Sequence, residues 1–232
     1  MARQREEVKS KNQLSAKPPL ELRIVPLTPD LWPALEDLFG ERGACNGCWC
    51  MYWRIGSAYR HRPRDLNRKD FEQVVRTGPP PGLLAFHGDV PVGWCQITPR
   101  DALPWPDRAR RLRRIDDLPV WSISCFYVRI GYRRRGVTRA LIDAALNAAR
   151  AAKAPAVEAY PLDSHLSPSA TSTGYASTFS RAGFREVARH SPERPIMRYE
   201  LSPRPKQVRF CTNETSGEEL VASSRLCPSI TS

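Results

Sequence analysis

The chain has 232 residues and a net charge of +12, with 41% hydrophobic and 26% charged residues, a globular composition with room for one good-sized domain. No stretch approaches the ~18 apolar residues of a membrane span, and the charged start MARQREEVKSKNQ lacks the apolar core of a secretory signal. Seven cysteines, an odd number, argue against a disulfide framework, so the expectation is a reduced, cytoplasmic protein with no membrane attachment.

Both ends read as tails. Residues 1–19 carry five Lys/Arg against two Glu, and residues 203–232 are rich in Ser, Thr and Glu with no apolar period. Neither can bury enough surface to offset the entropy of ordering, so both are expected to be disordered around one folded domain at 20–202. Inside it, 22–27 reads as a strand. Thr28-Pro29 opens a helix with Leu31, Leu35, Leu38 and Phe39 on one face, ended by Gly40. A second helix spans 66–76, with Phe71, Val74 and Val75 inward. Segments 83–86 and 92–97 flank a Gly88-Asp89 turn and form a hairpin. Residues 120–128 (VWSISCFYV) are β-branched and aromatic, as a central strand requires.

The clearest element is a helix over 136–153. Arg139, Asp143, Asn147 and Arg150 make one polar stripe, while Leu141, Ile142, Ala145, Leu146 and Ala149 cover a buried face. A short strand at 156–160, a polar loop, a helix over 174–183, and strands at 184–190 and 196–201 complete the domain. This order predicts an α/β fold with a mixed sheet of six to seven strands and about four helices.

The most informative segment is 128–138, VRIGYRRRGVT, which joins a buried strand to a buried helix. The first turn of such a helix has free backbone N–H groups and the positive end of the dipole, which together favour anions. Gly136 lets a ligand oxygen approach the backbone, Thr138 is small, and Arg133, Arg134 and Arg135 supply charge suited to phosphates. A plain strand–helix turn with surface arginines is the alternative reading. The segment fits neither the GxGxxG dinucleotide turn nor the GKS/GKT phosphate loop.

Arg133-x-x-Gly136-x-Thr138 resembles the Arg/Gln-x-x-Gly-x-Gly/Ala signature of the GNAT superfamily of acyl-CoA-dependent N-acyltransferases, with Thr138 in place of Gly/Ala. FSRAGFREV, from Phe179 on, is similar to the family's late YxxxGFxxV segment, and PIMRYEL to its last strand. The resemblance runs over about 21–201. It implies splayed central strands with the pantetheine arm of acetyl-CoA between them, held by backbone near Phe126 and Val128. The pyrophosphate would then rest on the 134–138 amides, including Val137, beside Arg133.

It also implies N-acetyl transfer to a primary amine of a small molecule or protein by direct attack. That chemistry needs a deprotonated amine, a stabilised oxyanion and a proton for the thiolate. The family's tyrosine four before Gly183 is here Phe179, so Tyr175, one turn earlier, is the substitute acid. Glu158 in VEAYP is the base candidate, with an ion pair to a neighbouring arginine as the alternative. Cys125 reads as a small core residue, since direct transfer forms no covalent enzyme intermediate.

Residues 43–54, GACNGCWCMYWR, have the most unusual composition. Cys45-x-x-Cys48 has metal-ligand spacing and Cys50 adds a thiol, but a structural zinc site wants four ligands. His61, His87 and Cys95 are all distant in sequence, so no metal is expected. Trp49, Tyr52 and Trp53 would wall the acceptor site, where aromatic faces suit an apolar or cationic amine; ordinary loop packing is the alternative. Two other functions compete: a CoA-binding protein without chemistry, kept open by Phe179, and a nucleic-acid-binding module, resting on the six arginines within 100–114. Asp101, Asp107, Asp116 and Asp117 dilute that second signal, and no recognition motif accompanies it. Nucleic acid is therefore not the expected partner, and the assembly is expected to be a monomer or homodimer.

Overall fold

The computed structural model describes residues 20–163 and 172–201; the expected tails lie outside them. Seven strands form one sheet: β1 (Arg23–Pro26), β2 (Gly82–His87), β3 (Val90–Pro99), β4 (Trp121–Val128), β5 (Ala156–Ala159), β6 (Arg185–Ser191) and β7 (Arg194–Glu200). Their order is β1-β2-β3-β4-β5-β7-β6. Every pairing is antiparallel except β4–β5. The α-helices of six residues or more among the described residues are α1 (Trp32–Phe39), α2 (Arg64–Thr77), α3 (Val137–Ala151) and α4 (Ala176–Arg181). The mixed α/β architecture, strand number and count of main helices follow the sequence pattern.

Period-two alternation along the strands sends side chains to two cores, one on each face. On one face α3 lays Val137, Leu141, Ile142, Ala145, Leu146 and Ala149 against Cys95, Ile97, Ile123 and Val157. On the other, α1, α2 and the cysteine-rich segment pack Leu35, Leu38, Phe39 and Phe71 with Trp94 and Tyr160. The sheet is thus a filled middle layer, and only its gaps and strand ends can hold ligands.

Such a gap opens between β4 and β5. They share only the pairs Trp121↔Val157, Ser122↔Glu158 and Ile123↔Ala159; β4 continues to Val128 while β5 stops. The chain's own backbone enters the opening: the Phe126 N–H donates to the Ser172 carbonyl at 2.5 Å. Leu162 bridges to Tyr175, its N–H donating to the Gly174 carbonyl at 3.0 Å and its carbonyl accepting from the Ala176 N–H at 2.9 Å.

Candidate active site

Two cavities flank the free end of β4. The first, a cleft of about 230 Å³, is lined by Val128, Tyr132, Arg133, Arg134, Gly136, Val137, Thr138, Arg139 and Thr178. Its floor is the start of α3. The first intrahelical bond runs from the Ala140 N–H to the Gly136 carbonyl at 3.0 Å, so the amides of Val137, Thr138 and Arg139 precede it and carry the positive pole of a 15-residue helix. Gly136 has φ +83° and nothing within 4 Å of where a Cβ would stand. The backbone there is left-handed, which glycine adopts without cost, and it faces open space. Arg133 braces the turn by donating from Nε to the Val128 carbonyl at 3.0 Å.

Six of the eight residues the sequence assigned to the co-substrate line this cleft. Arg135 does not; its guanidinium lies over the Tyr132 ring, 5.8 Å from the centroid. Phe126 stands two residues before Val128, with its amide engaged by Ser172.

The second cavity, of about 380 Å³, is lined by Cys48, Tyr52, Ser57, Tyr59, Arg60, Trp105, Arg111, Ser172, Thr173 and Arg194. The expected aromatic wall is realised by Tyr52 alone. Trp49 and Trp53, 3% and 2% exposed, are core residues instead. Trp49 stacks on Trp32 at 5.8 Å and lies 5.4 Å from Phe39, while Trp53 stacks on Tyr160 at 5.4 Å. The cause is local: Trp49 and Cys50 are both left-handed (φ 46° and 58°), a reversal that delivers the Trp49 indole to α1. Two rings not predicted there, Tyr59 and Trp105, complete the wall with Tyr52. Trp105 sits against Gly56, where a Cβ would run into its ring.

Glu158 occupies neither cavity. It is buried at 3% exposure, and Oε1 accepts from Arg198 Nη2 at 2.6 Å and Nε at 3.1 Å. Oε2 accepts from the Tyr160 hydroxyl at 3.0 Å. Arg198 also forks onto Asp116 at 2.7 and 2.8 Å. Burial alone would pull its guanidinium down, but the bonds to Asp116 and Glu158 outweigh that and raise it. Burial, then Glu158, pushes the Tyr160 hydroxyl up. With both oxygens engaged, the carboxylate fits the ion-pair reading rather than that of a base open to substrate. Tyr175 is half-buried at the N-cap of α4 and lines neither cavity. Phe179 is fully buried against Phe126 and Phe184 and offers no proton.

The family model for the acetyltransferase (GNAT) family matches residues 46–166. The chain belongs to that family. No curated protein matches it. Among solved structures it is similar to a GNAT-family acetyltransferase from Listeria monocytogenes, at 16% identity and a TM-score of 0.51 over 78% of this chain and 96% of that one. It is also similar to an acetyltransferase from Thermus thermophilus, at 19% identity and 0.48 over 78% and 98%. A third is the PaiA N-acetyltransferase from Thermoplasma acidophilum in complex with coenzyme A, at 12% and 0.45 over 78% and 99%. At these identities the likeness is one of fold.

Within this GNAT chain, the sequence reading missed Tyr59, Trp105, Arg111, Thr173 and Arg194 at the second cavity. They come from four separate segments, and no spacing links them. It also missed Arg100, 2% exposed, which donates from Nε to the Tyr160 hydroxyl at 3.1 Å and from Nη2 to the Leu112 carbonyl at 2.8 Å, and binds Asp107. Arg114 binds Asp101 and Asp107. Arg100 and Arg114 therefore pin the segment 100–114 down. One signal was available: Glu158 and Arg198 face each other in β5–β7 register, a pairing that opposite charges favour.

Proposed function

We propose that the protein is an acetyl-CoA-dependent N-acetyltransferase that works by direct attack of an amine held in the second cavity. The observation that carries this reading is the placement of two unlike cavities at one strand end. Val128 lines the first, while the Phe126 amide, two residues earlier, is bonded to Ser172 of the second. On this reading the α3 amides, Gly136, Arg133 and Arg134 hold the pyrophosphate, and the pantetheine runs along β4 toward Phe126. The thioester then lies where the cavities meet, and proximity supplies much of the rate. Transfer of this kind calls on no metal, and the thiols beside the cavity are occupied: Cys48 Sγ accepts from the Tyr52 amide and Cys50 Sγ from the Trp94 indole. Tyr175, whose backbone bridges Leu162 in the β4–β5 gap, is kept as the proton donor to the departing thiolate. A cytoplasmic enzyme acting on a small or peptidyl amine completes the proposal.

Two observations favour a second reading, CoA binding without turnover: the expected hydroxyl is the buried Phe179, and the Phe126 amide is already engaged. Calorimetry with acetyl-CoA, combined with release of free CoA across an amine panel, separates the two. Binding with release supports the enzyme, binding without release across the panel supports the second reading, and no binding overturns both.

A further inference from the structure

The second cavity differs in charge from what its aromatic wall alone would imply. Three guanidinium groups, from Arg60, Arg111 and Arg194, line it, and no carboxylate among the described residues does. None of the three forms a salt bridge among the described residues. Arg194 is half-buried and is held by Thr173 Oγ1 at 3.3 Å and by the Tyr160 carbonyl. Arg111 donates to the Tyr52 hydroxyl at 2.9 Å. Arg60 donates to the Tyr59 hydroxyl at 3.1 Å at the exposed rim. All these contacts are to neutral oxygens, which position a guanidinium without neutralising it.

We infer that the amine acceptor bears an anionic group, a carboxylate or a phosphate, which Arg194 and Arg111 grip while an apolar part lies among Tyr52, Tyr59 and Trp105. The inference rests on the second cavity being the acceptor site. Burial lowers the Arg194 guanidinium, and Arg111 adds to that, outweighing the attraction of Tyr52 and Glu193. Both guanidiniums line the one cavity, where an anion between them lowers their mutual repulsion. The same field disfavours an ammonium. A dipolar acceptor is therefore turned with its acid toward the arginines and its amine away from them, toward Ser172 and the end of β4. The positive surroundings also favour the neutral, nucleophilic form of that amine, which accounts for a cavity lined by no carboxylate base. An acceptor whose only charges are cationic, such as a polyamine, has no partner there.

The test uses the full chain with matched probes: aromatic amino acids against the amines left by their decarboxylation, phosphoethanolamine against ethanolamine, and spermidine. Binding is read by calorimetry with CoA present, and transfer by CoA release from acetyl-CoA. The acid-bearing member of at least one pair should be favoured about tenfold or more. Arg194→Met and Arg111→Met should each cut that preference by about 10- to 100-fold, the range for loss of one charge-assisted bond. Arg111 is exposed, so its variant keeps the test open should Arg194→Met fail to fold, and Arg110→Met, also exposed and outside the cavity lining, is the control. The carboxylate and phosphate pairs tell the two acids apart. Preference for neutral or cationic members, no binding of any acid-bearing probe, or a preference untouched in Arg111→Met overturns the inference. Arginine-dependent binding of an acid without any CoA release supports the anion site and defeats the acetyl-transfer reading.

Discussion

Gly136→Asp perturbs the proposed pyrophosphate site at one atom's remove. The backbone there is left-handed at φ +83°, which costs a residue with a Cβ about 1–2 kcal/mol, with Asp and Asn among the better tolerated. For a domain of this size that is a fall of several degrees in Tm, so the variant remains folded. Nothing lies within 4 Å of the new Cβ, so the side chain projects into open space beside the first cavity. A carboxylate about 4 Å from a phosphate charge meets about 4 kcal/mol of repulsion at an effective dielectric of ~20, or roughly a thousandfold in Kd. Gly136→Asn has the same shape without the charge and should lose about tenfold or less. Calorimetry with acetyl-CoA on both variants is the assay, with circular dichroism to verify the fold. Equal losses for Asp and Asn would refute the electrostatic part of the reasoning, and wild-type affinity in folded Gly136→Asp would refute the placement of the phosphates.

Three further outcomes are expected. Glu158→Gln removes one of the two carboxylates on Arg198, which keeps Asp116, and should cost about 1.5–3 kcal/mol of stability, the range for a charged hydrogen bond; a ~10²-fold fall in kcat at unchanged Tm would instead restore Glu158 as the base. Trp53→Ala removes a core ring rather than an acceptor contact and should destabilise by about 3–5 kcal/mol in chemical denaturation, whereas an unchanged midpoint with weakened acceptor binding would return it to the acceptor wall. Burial raises the Asp107 carboxyl, but the Arg100 and Arg114 bonds outweigh it and hold it below its ordinary value. Its stabilising effect is therefore complete above the unfolded carboxylate pKa of about 4 and is lost as pH falls through the lower folded value. Asp107→Asn should flatten the acid limb of stability against pH, which Tm measured from pH 7 to 2.5 checks.

How far the sequence could be read depended on whether a feature was local. The helix Val137–Ala151 was legible because its polar stripe and apolar face both keep the helical period, and its anion-ready start because Gly136 and the arginines adjoin it in sequence. The hairpin of β2 and β3 came from one turn, Gly88-Asp89, and runs a residue or more longer at each end than its apolar runs. The cysteine-rich segment was not legible. Trp49 and Cys50 adopt left-handed backbone, which no propensity assigns to such residues, and that reversal decides which rings face the core. The buried network of Glu158, Tyr160, Arg100, Arg198 and Asp116 joins four chain segments. Only the Glu158↔Arg198 register was accessible to pattern. The second cavity fails for the same reason, since its lining is brought together by tertiary contact alone.

The bond from the Phe126 amide to the Ser172 carbonyl has a thermodynamic consequence for any ligand that runs along β4. A pantetheine carbonyl arriving there exchanges one backbone hydrogen bond for another, so the number of bonds at that amide does not rise and the net gain is close to nil. The affinity of the proposed co-substrate must then come from its far end, where the amides of α3 and the arginines meet phosphate. Tethering at the phosphates makes the displacement of Ser172 an intramolecular event, driven by effective concentration rather than by a stronger contact.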